Sequence, residues 1–154
     1  MKNTKEDLPE KKHLSYEHET HDNVVKTARH LNAQLEDKLK QFDLDLPLFN
    51  ILRIIQSKSE KVINIKEIQQ GMMHKMANTS RLIRVLEDRQ LIERRPSKED
   101  KRVVNVYLTE KGTFVMNELD DLTSEFYINE FSALSKSELD SFNVMLGKLW
   151  DNVS

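Results

Sequence analysis

Three side chains spaced three residues apart, Asn78, Arg81 and Arg84, have the chemistry to read a nucleic acid. A carboxamide can bond bidentately to adenine and a guanidinium to guanine, provided both project from one face of a helix into the major groove. Ala77 and Ser80 beside them are small enough to let such a helix sit deep. Further along, Lys98, Lys101 and Arg102 crowd a short charged stretch, Ser97-Lys98-Glu99-Asp100-Lys101-Arg102. An arginine on a narrow loop suits the minor groove, where the potential is most negative. Taken singly, each piece is what any solvated surface carries; their order and spacing are what point to DNA.

The charge distribution agrees. The formal net charge is −2, but residues 74–112 hold 10 basic and 6 acidic side chains, while residues 113–154 hold 2 and 8. A phosphate-binding surface needs a local excess and not a global one. The expected contact set is Ala77, Asn78, Thr79, Ser80, Arg81, Arg84, Arg94, Arg95, Lys98, Asp100, Lys101 and Arg102.

The elements that must hold these residues follow from periodicity and punctuation. Residues 1–20 are polar and read as a loose arm. Val24, Ala28, Leu31, Leu35, Leu39 and Phe42 then form one stripe on a long helix within 21–44. Asp45 can cap a second helix with Pro47 in its first turn, and Leu48, Phe49, Ile51, Leu52, Ile54 and Ile55 make that helix apolar most of the way round. Ser57 to Val62 reads as a polar connection. Asn64 with Glu67 predicts a capping box and a short third helix that Gly71 ends. A turn near Met73-His74-Lys75 leads to a fourth helix from about Met76 to Gln90, with Leu82, Ile83 and Leu86 inward and Thr79 beneath them. The period then changes to two: Leu91–Arg95, ended by Pro96, and Val104, Val106 and Leu108 predict a hairpin with a basic tip. Thr109 caps a fifth helix carrying Val115, Leu119, Leu122 and Phe126. Ser135 and Glu138 start a sixth, whose Leu139, Phe142, Leu146, Leu149 and Val153 alternate spacings of three and four, as in a coiled-coil seam.

Other chemistries find little footing. The chain has no Cys, which removes disulfides, thiolate metal sites and cysteine nucleophiles. His13, His18, His21, His30 and His74 are scattered, and we expect no metal site. The six Met residues read as core filler and Asp120, Asp121 and Glu125 as a solvated face. No phosphate-binding Gly loop or nucleophile elbow is present, so no enzyme and no cofactor is expected. No apolar run approaches a membrane span and the charged start lacks a signal-peptide core, which points to the cytoplasm.

The run from Thr79 to Gly112 resembles the MarR family of bacterial regulators. The similarity rests on Arg81-Leu82-Ile83, Leu86-Glu87, Leu91-Ile92-Glu93-Arg94, Asp100-x-Arg102 and Leu108-Thr109-Glu110-Lys111-Gly112. Met73 and Lys75 depart from the Gly and Ser or Thr that many relatives carry thereabouts. The resemblance implies a mostly helical, winged helix-turn-helix dimer: a first dimerisation helix (21–44), a DNA-binding region (45–112) and C-terminal dimerisation helices (113–154). Val24, Leu31, Leu35, Leu139, Phe142, Leu146, Leu149 and Val153 would form the homodimer interface. It implies double-stranded DNA as partner, Arg102 in the minor groove with Asp100 orienting the wing, repression at a pseudo-palindromic operator, and a small aromatic or phenolic effector bound between the two parts. A second reading, a dimeric winged helix that docks protein, would require apolar residues on the outer face of the fourth helix.

Overall fold

The computed structural model describes residues 15–58, 62–72 and 78–153. The chain runs α1 (Tyr16–Leu39), a 3-10 turn (Lys40–Phe42), α2 (Leu46–Gln56), β1 (Ile63–Asn64), α3 (Ile65–Gly71), α4 (Thr79–Asp88), β2 (Ile92–Pro96), β3 (Val104–Leu108), α5 (Glu110–Glu130) and α6 (Lys136–Val153). The first helix starts at Tyr16, so the last five residues assigned to a loose arm are helical; residues 1–14 of that arm lie outside the described residues.

The starts of α2, α3, α5 and α6 are written in local polar chemistry. The Asp45 carboxylate accepts from the Leu48 N–H at 2.9 Å and Pro47 occupies the first turn of α2. Asn64 and Glu67 satisfy each other's backbone N–H groups at 2.9 and 3.0 Å. The Thr109 hydroxyl accepts from the Gly112 N–H at 3.0 Å at the start of α5. Before α6, the Ser135 N–H donates to Glu138 at 2.8 Å, and the Glu138 N–H reaches back to the Ser135 hydroxyl at 3.4 Å. These bonds meet donors that a helix otherwise leaves unpaired in its first turn.

The expected hairpin is present and antiparallel, with Arg94 opposite Val106 and Pro96 opposite Val104. It gains a third strand: β1 pairs with the outer edge of β3, Ile63 opposite Val106, giving the order β1-β3-β2. This strand, which the sequence did not predict, follows the Ser57–Val62 connection, of which residues 59–61 lie outside the described residues.

The core gathers around α2, whose Phe49, Ile51, Leu52 and Ile55 are almost wholly enclosed. Leu35 and Leu39 reach it from α1, Ile68 from α3, Ile83 and Leu86 from α4, and Ile63, Ile92 and Val106 from the sheet. From α5 come Met116, Leu119 and Phe126, with Thr123 between them. Val115 and Leu122, expected to face inward, are only half-buried. The buried Thr123 hydroxyl donates to the Leu119 carbonyl at 2.7 Å, so it costs the core nothing unpaired.

Two apolar faces have no such cover. The stripe on α1 is buried at Leu35 and Leu39, half-buried at Leu31, and exposed at Ala28 and Val24. On α6, Leu139 and Phe142 are half-buried, while Val144, Met145, Leu146, Leu149 and Trp150 are exposed. The side chain of Val153 lies outside the described residues. Among the described residues, no helix is long and apolar enough to cross a membrane.

Candidate nucleic-acid interface

In α4, four residues face the core: Thr79, Leu82, Ile83 and Leu86. Thr79 is 1% exposed, which corrects its place among the expected DNA contacts: its side chain has no access to a groove. On the other side Asn78, Ser80, Arg81, Arg84 and Asp88 are exposed. The helix begins at Thr79, three residues later than the sequence suggested. Ala77, with Met73, His74 and Lys75, lies outside the described residues. Asn78 stands at the N-cap position, where its backbone carbonyl accepts from Arg81 and Leu82. Its carboxamide makes no capping bond.

The wing is folded by its own short bonds. The Ser97 N–H donates to the Val103 carbonyl at 2.8 Å and the Val103 N–H to the Asp100 carbonyl at 2.9 Å. The Asp100 carboxylate accepts from the Arg102 N–H at 2.9 Å, an Asx turn that fixes the tip. Lys98, Lys101 and Arg102 project from it into solvent. Asp100 thus serves as a brace for Arg102.

The arginines of this surface divide into two groups. Arg94, on β2, donates through Nε to Glu87 of α4 at 2.9 Å and through Nη2 to the same oxygen. Arg95 pairs with Glu93 at 2.5 Å and lies over the Tyr107 ring, 5.5 Å from its centre. Arg81, Arg84 and Arg102 are in no ion pair among the described residues. The Arg94 guanidinium holds the Glu87 carboxyl below the usual carboxylate range, with Arg84 adding to the effect.

The Thr-Glu-Lys-Gly run has a positional explanation. Past the end of α4 comes Gln90, whose φ of 60° turns the chain into β2. The Thr109 hydroxyl donates to the Gln90 carbonyl at 2.6 Å, its N–H to the Leu91 carbonyl at 3.1 Å, and Lys111 Nζ to the Arg89 carbonyl at 3.0 Å. A Cβ on Gly112 would fall 1.9 Å from the Leu91 carbonyl oxygen. The run therefore fastens the end of α4 against the start of α5; glycine is required by close backbone approach and not by its φ.

No cluster of three His, Asp or Glu suited to a metal occurs among the described residues. His18 bonds to Ser15, His21 to Asp22, and His30 lies 3.9 Å from Glu130; His13 and His74 lie outside the described residues. A groove of about 560 Å³ opens where α2, α3 and α5 meet, lined by Asn50, Arg53, Ile54, Gln56, Met72 and Asp120 among others.

Comparison with known proteins gives this arrangement its context. The sequence model of the MarR family matches residues 44–104, from the end of the α1 turn to the start of β3. The chain is 28% identical over 119 residues to the HTH-type transcriptional repressor IacR of Pseudomonas putida, covering 77% of this chain and 70% of that protein. It is 29% identical over 127 residues to the HTH-type transcriptional regulator MgrA of Staphylococcus aureus, covering 82% and 84%. The fold also matches the structure of the S. aureus MepR–DNA complex, with a TM-score of 0.80 and 21% identity over 91% of this chain and all of that one. With its winged helix, its polar α4 face and these relatives, the chain is similar over residues 44–104 to the MarR family of DNA-binding transcriptional regulators.

Proposed function

We propose that this chain acts in the cytoplasm as a homodimeric repressor that occupies a pseudo-palindromic DNA site and is released from it by a small ligand. One observation carries the DNA geometry: among the described residues, Arg81, Arg84 and Arg102 are free of ion pairs while their neighbours Arg94 and Arg95 are paired. Asn78, Arg81 and Arg84, with the small Ser80, enter the major groove. Arg102 enters the minor groove, and Lys98 and Lys101 lie along phosphate. The outer face of α4 carries no large apolar residue, which leaves a protein-docking role without support.

The uncovered faces of α1 and α6 support the dimer. For the ligand, the groove between α2, α3 and α5 offers Arg53 to an anionic group and Ile54 and Met72 to an apolar body, which suits a small aromatic or phenolic acid. The groove joins the long α5 to the DNA-binding elements, where occupancy can alter their relation.

The test is a titration of a duplex that the purified protein selects from its own genome. Arg102→Ala should bind it more weakly, and the slope of log affinity against log salt should fall by about one for each phosphate-neutralising cation removed. Inserting roughly five base pairs between half-sites turns one of them to the opposite face and should abolish tight binding. Parent-like binding by Arg102→Ala would refute the wing assignment, and normal binding to the spacer duplex would refute the two-fold mode.

A further inference from the structure

We infer that Arg94 is a positioning residue and not a DNA contact: with Glu87 it clamps the stem of the wing to the recognition helix, setting how far Arg102 stands from Arg81 and Arg84. The pair joins the two elements that carry the unpaired arginines of this surface. Glu87 lies in the last turn of α4 and Arg94 at the middle of β2, opposite Val106. The two donors of Arg94 converge on a single Glu87 oxygen. A guanidinium so held has in-plane donors already committed, and must give them up to take a phosphate. Arg102 lies beyond the stem, and the tip bonds described above are internal to the loop. The stem's angle to α4 is therefore transmitted to Arg102. The inference rests on α4 and the wing facing DNA together, and on nothing about the dimer or the ligand.

Electrostatics alone predicts the opposite sign, which makes the test decisive. Glu87 is a negative charge on a surface that meets phosphate, so removing it should strengthen binding if charge is all that matters. The clamp requires that removing it weaken binding. The probes are a duplex selected by the parent protein from a random pool and, separately, a random-sequence duplex. Glu87→Gln should bind the selected duplex about tenfold more weakly, the scale of one mis-set base contact, with its affinity for random duplex unchanged or higher. Arg94→Ala should lose the same selectivity while its salt slope stays that of the parent. The charge swap Glu87→Arg with Arg94→Glu should recover selective binding. All variants should melt close to the parent, since the pair is 32–39% exposed. Parent-like or tighter binding of the selected duplex by Glu87→Gln would overturn the clamp. So would a salt slope lowered by about one per subunit in Arg94→Ala, which is what removal of a phosphate-binding cation gives. A loss in Glu87→Gln that the swap fails to recover would also overturn it, since each side chain would then act alone.

Discussion

Gly112 shows how a single missing methyl can govern a DNA-binding surface. Its α-carbon packs against the Leu91 carbonyl, and the added Cβ of Gly112→Ala would sit 1.9 Å from that oxygen. Backbone cannot rotate aside as a side chain does, so α5 or β2 must shift. We expect destabilisation of about 1–3 kcal/mol, toward the upper end, from overpacking, read as a lower denaturant midpoint with an unchanged m-value. Selective DNA binding should fall with it, because the same junction sets the end of α4. At this scale the sequence is uneven reading. The inward side of α4 is legible, since Thr79, Leu82, Ile83 and Leu86 recur at spacings of three, one and three. That same spacing excludes Thr79 from the groove. Arg95 beside Glu93, two residues apart on one strand face, offers a signal that it is engaged. Arg94 offers none: its partner Glu87 lies across the Gln90 turn, and only the folded angle between α4 and β2 brings them together.

At the starts of α3 and α6 the capping bonds also shift the titration of a carboxyl. Bonds donated by Asn64 hold the Glu67 carboxyl below its ordinary value, and bonds from Ser135 do the same for Glu138. A carboxyl depressed on folding contributes stability that is present above its unfolded value and is lost as pH falls through the folded one. Glu138→Gln should therefore lower the melting temperature at neutral pH, and the gap from the parent should close on acidification below the ordinary carboxylate range. A gap that persists unchanged to acid pH would mean that the charge of Glu138 is irrelevant to α6. The caps are readable because each is a pattern of three or four neighbouring residues. Strand β1 is not. Ile63 and Asn64 become a strand only by pairing with Val106 and Asn105, some forty positions on, and two residues carry no periodicity of their own. The sequence places the start of α5's buried stripe one residue early, at Val115 instead of Met116, because both are apolar and a helical face is wide enough to admit either.

For the whole molecule, the decisive feature is what the chain leaves uncovered. Among the described residues, α6 puts no side chain in the core, and Leu146, Leu149 and Trp150 are 36–58% exposed. Isolated apolar residues on a surface are ordinary, but a continuous seam beside the bare half of α1 is a patch that a lone chain in water would have to solvate. We expect sedimentation at micromolar concentration to give about twice 18.1 kDa. A monomer at that concentration would refute the dimer. Leu149→Asp should drive dissociation and lower the melting temperature in a concentration-dependent way. The seam itself is plain in the sequence; which helices are left bare is not, since that depends on how much of α1 the core consumes.

The joint at Leu91 has a mechanical meaning. Helix α5 has 21 residues, a rod roughly 31 Å long at about 1.5 Å per residue. One end is bolted to the foot of the recognition helix by Thr109, Lys111 and Gly112, and the other leads to the bare helices. Such a rod is a lever with a fixed fulcrum. A tilt of about 5° about the joint swings its far end by about 3 Å over that length. Read in reverse, a displacement of a few ångströms at the far end would become a small rotation of the α4 foot. In a two-fold assembly both feet would turn in matched step, so the gearing would change the span between the reading heads while leaving each head intact.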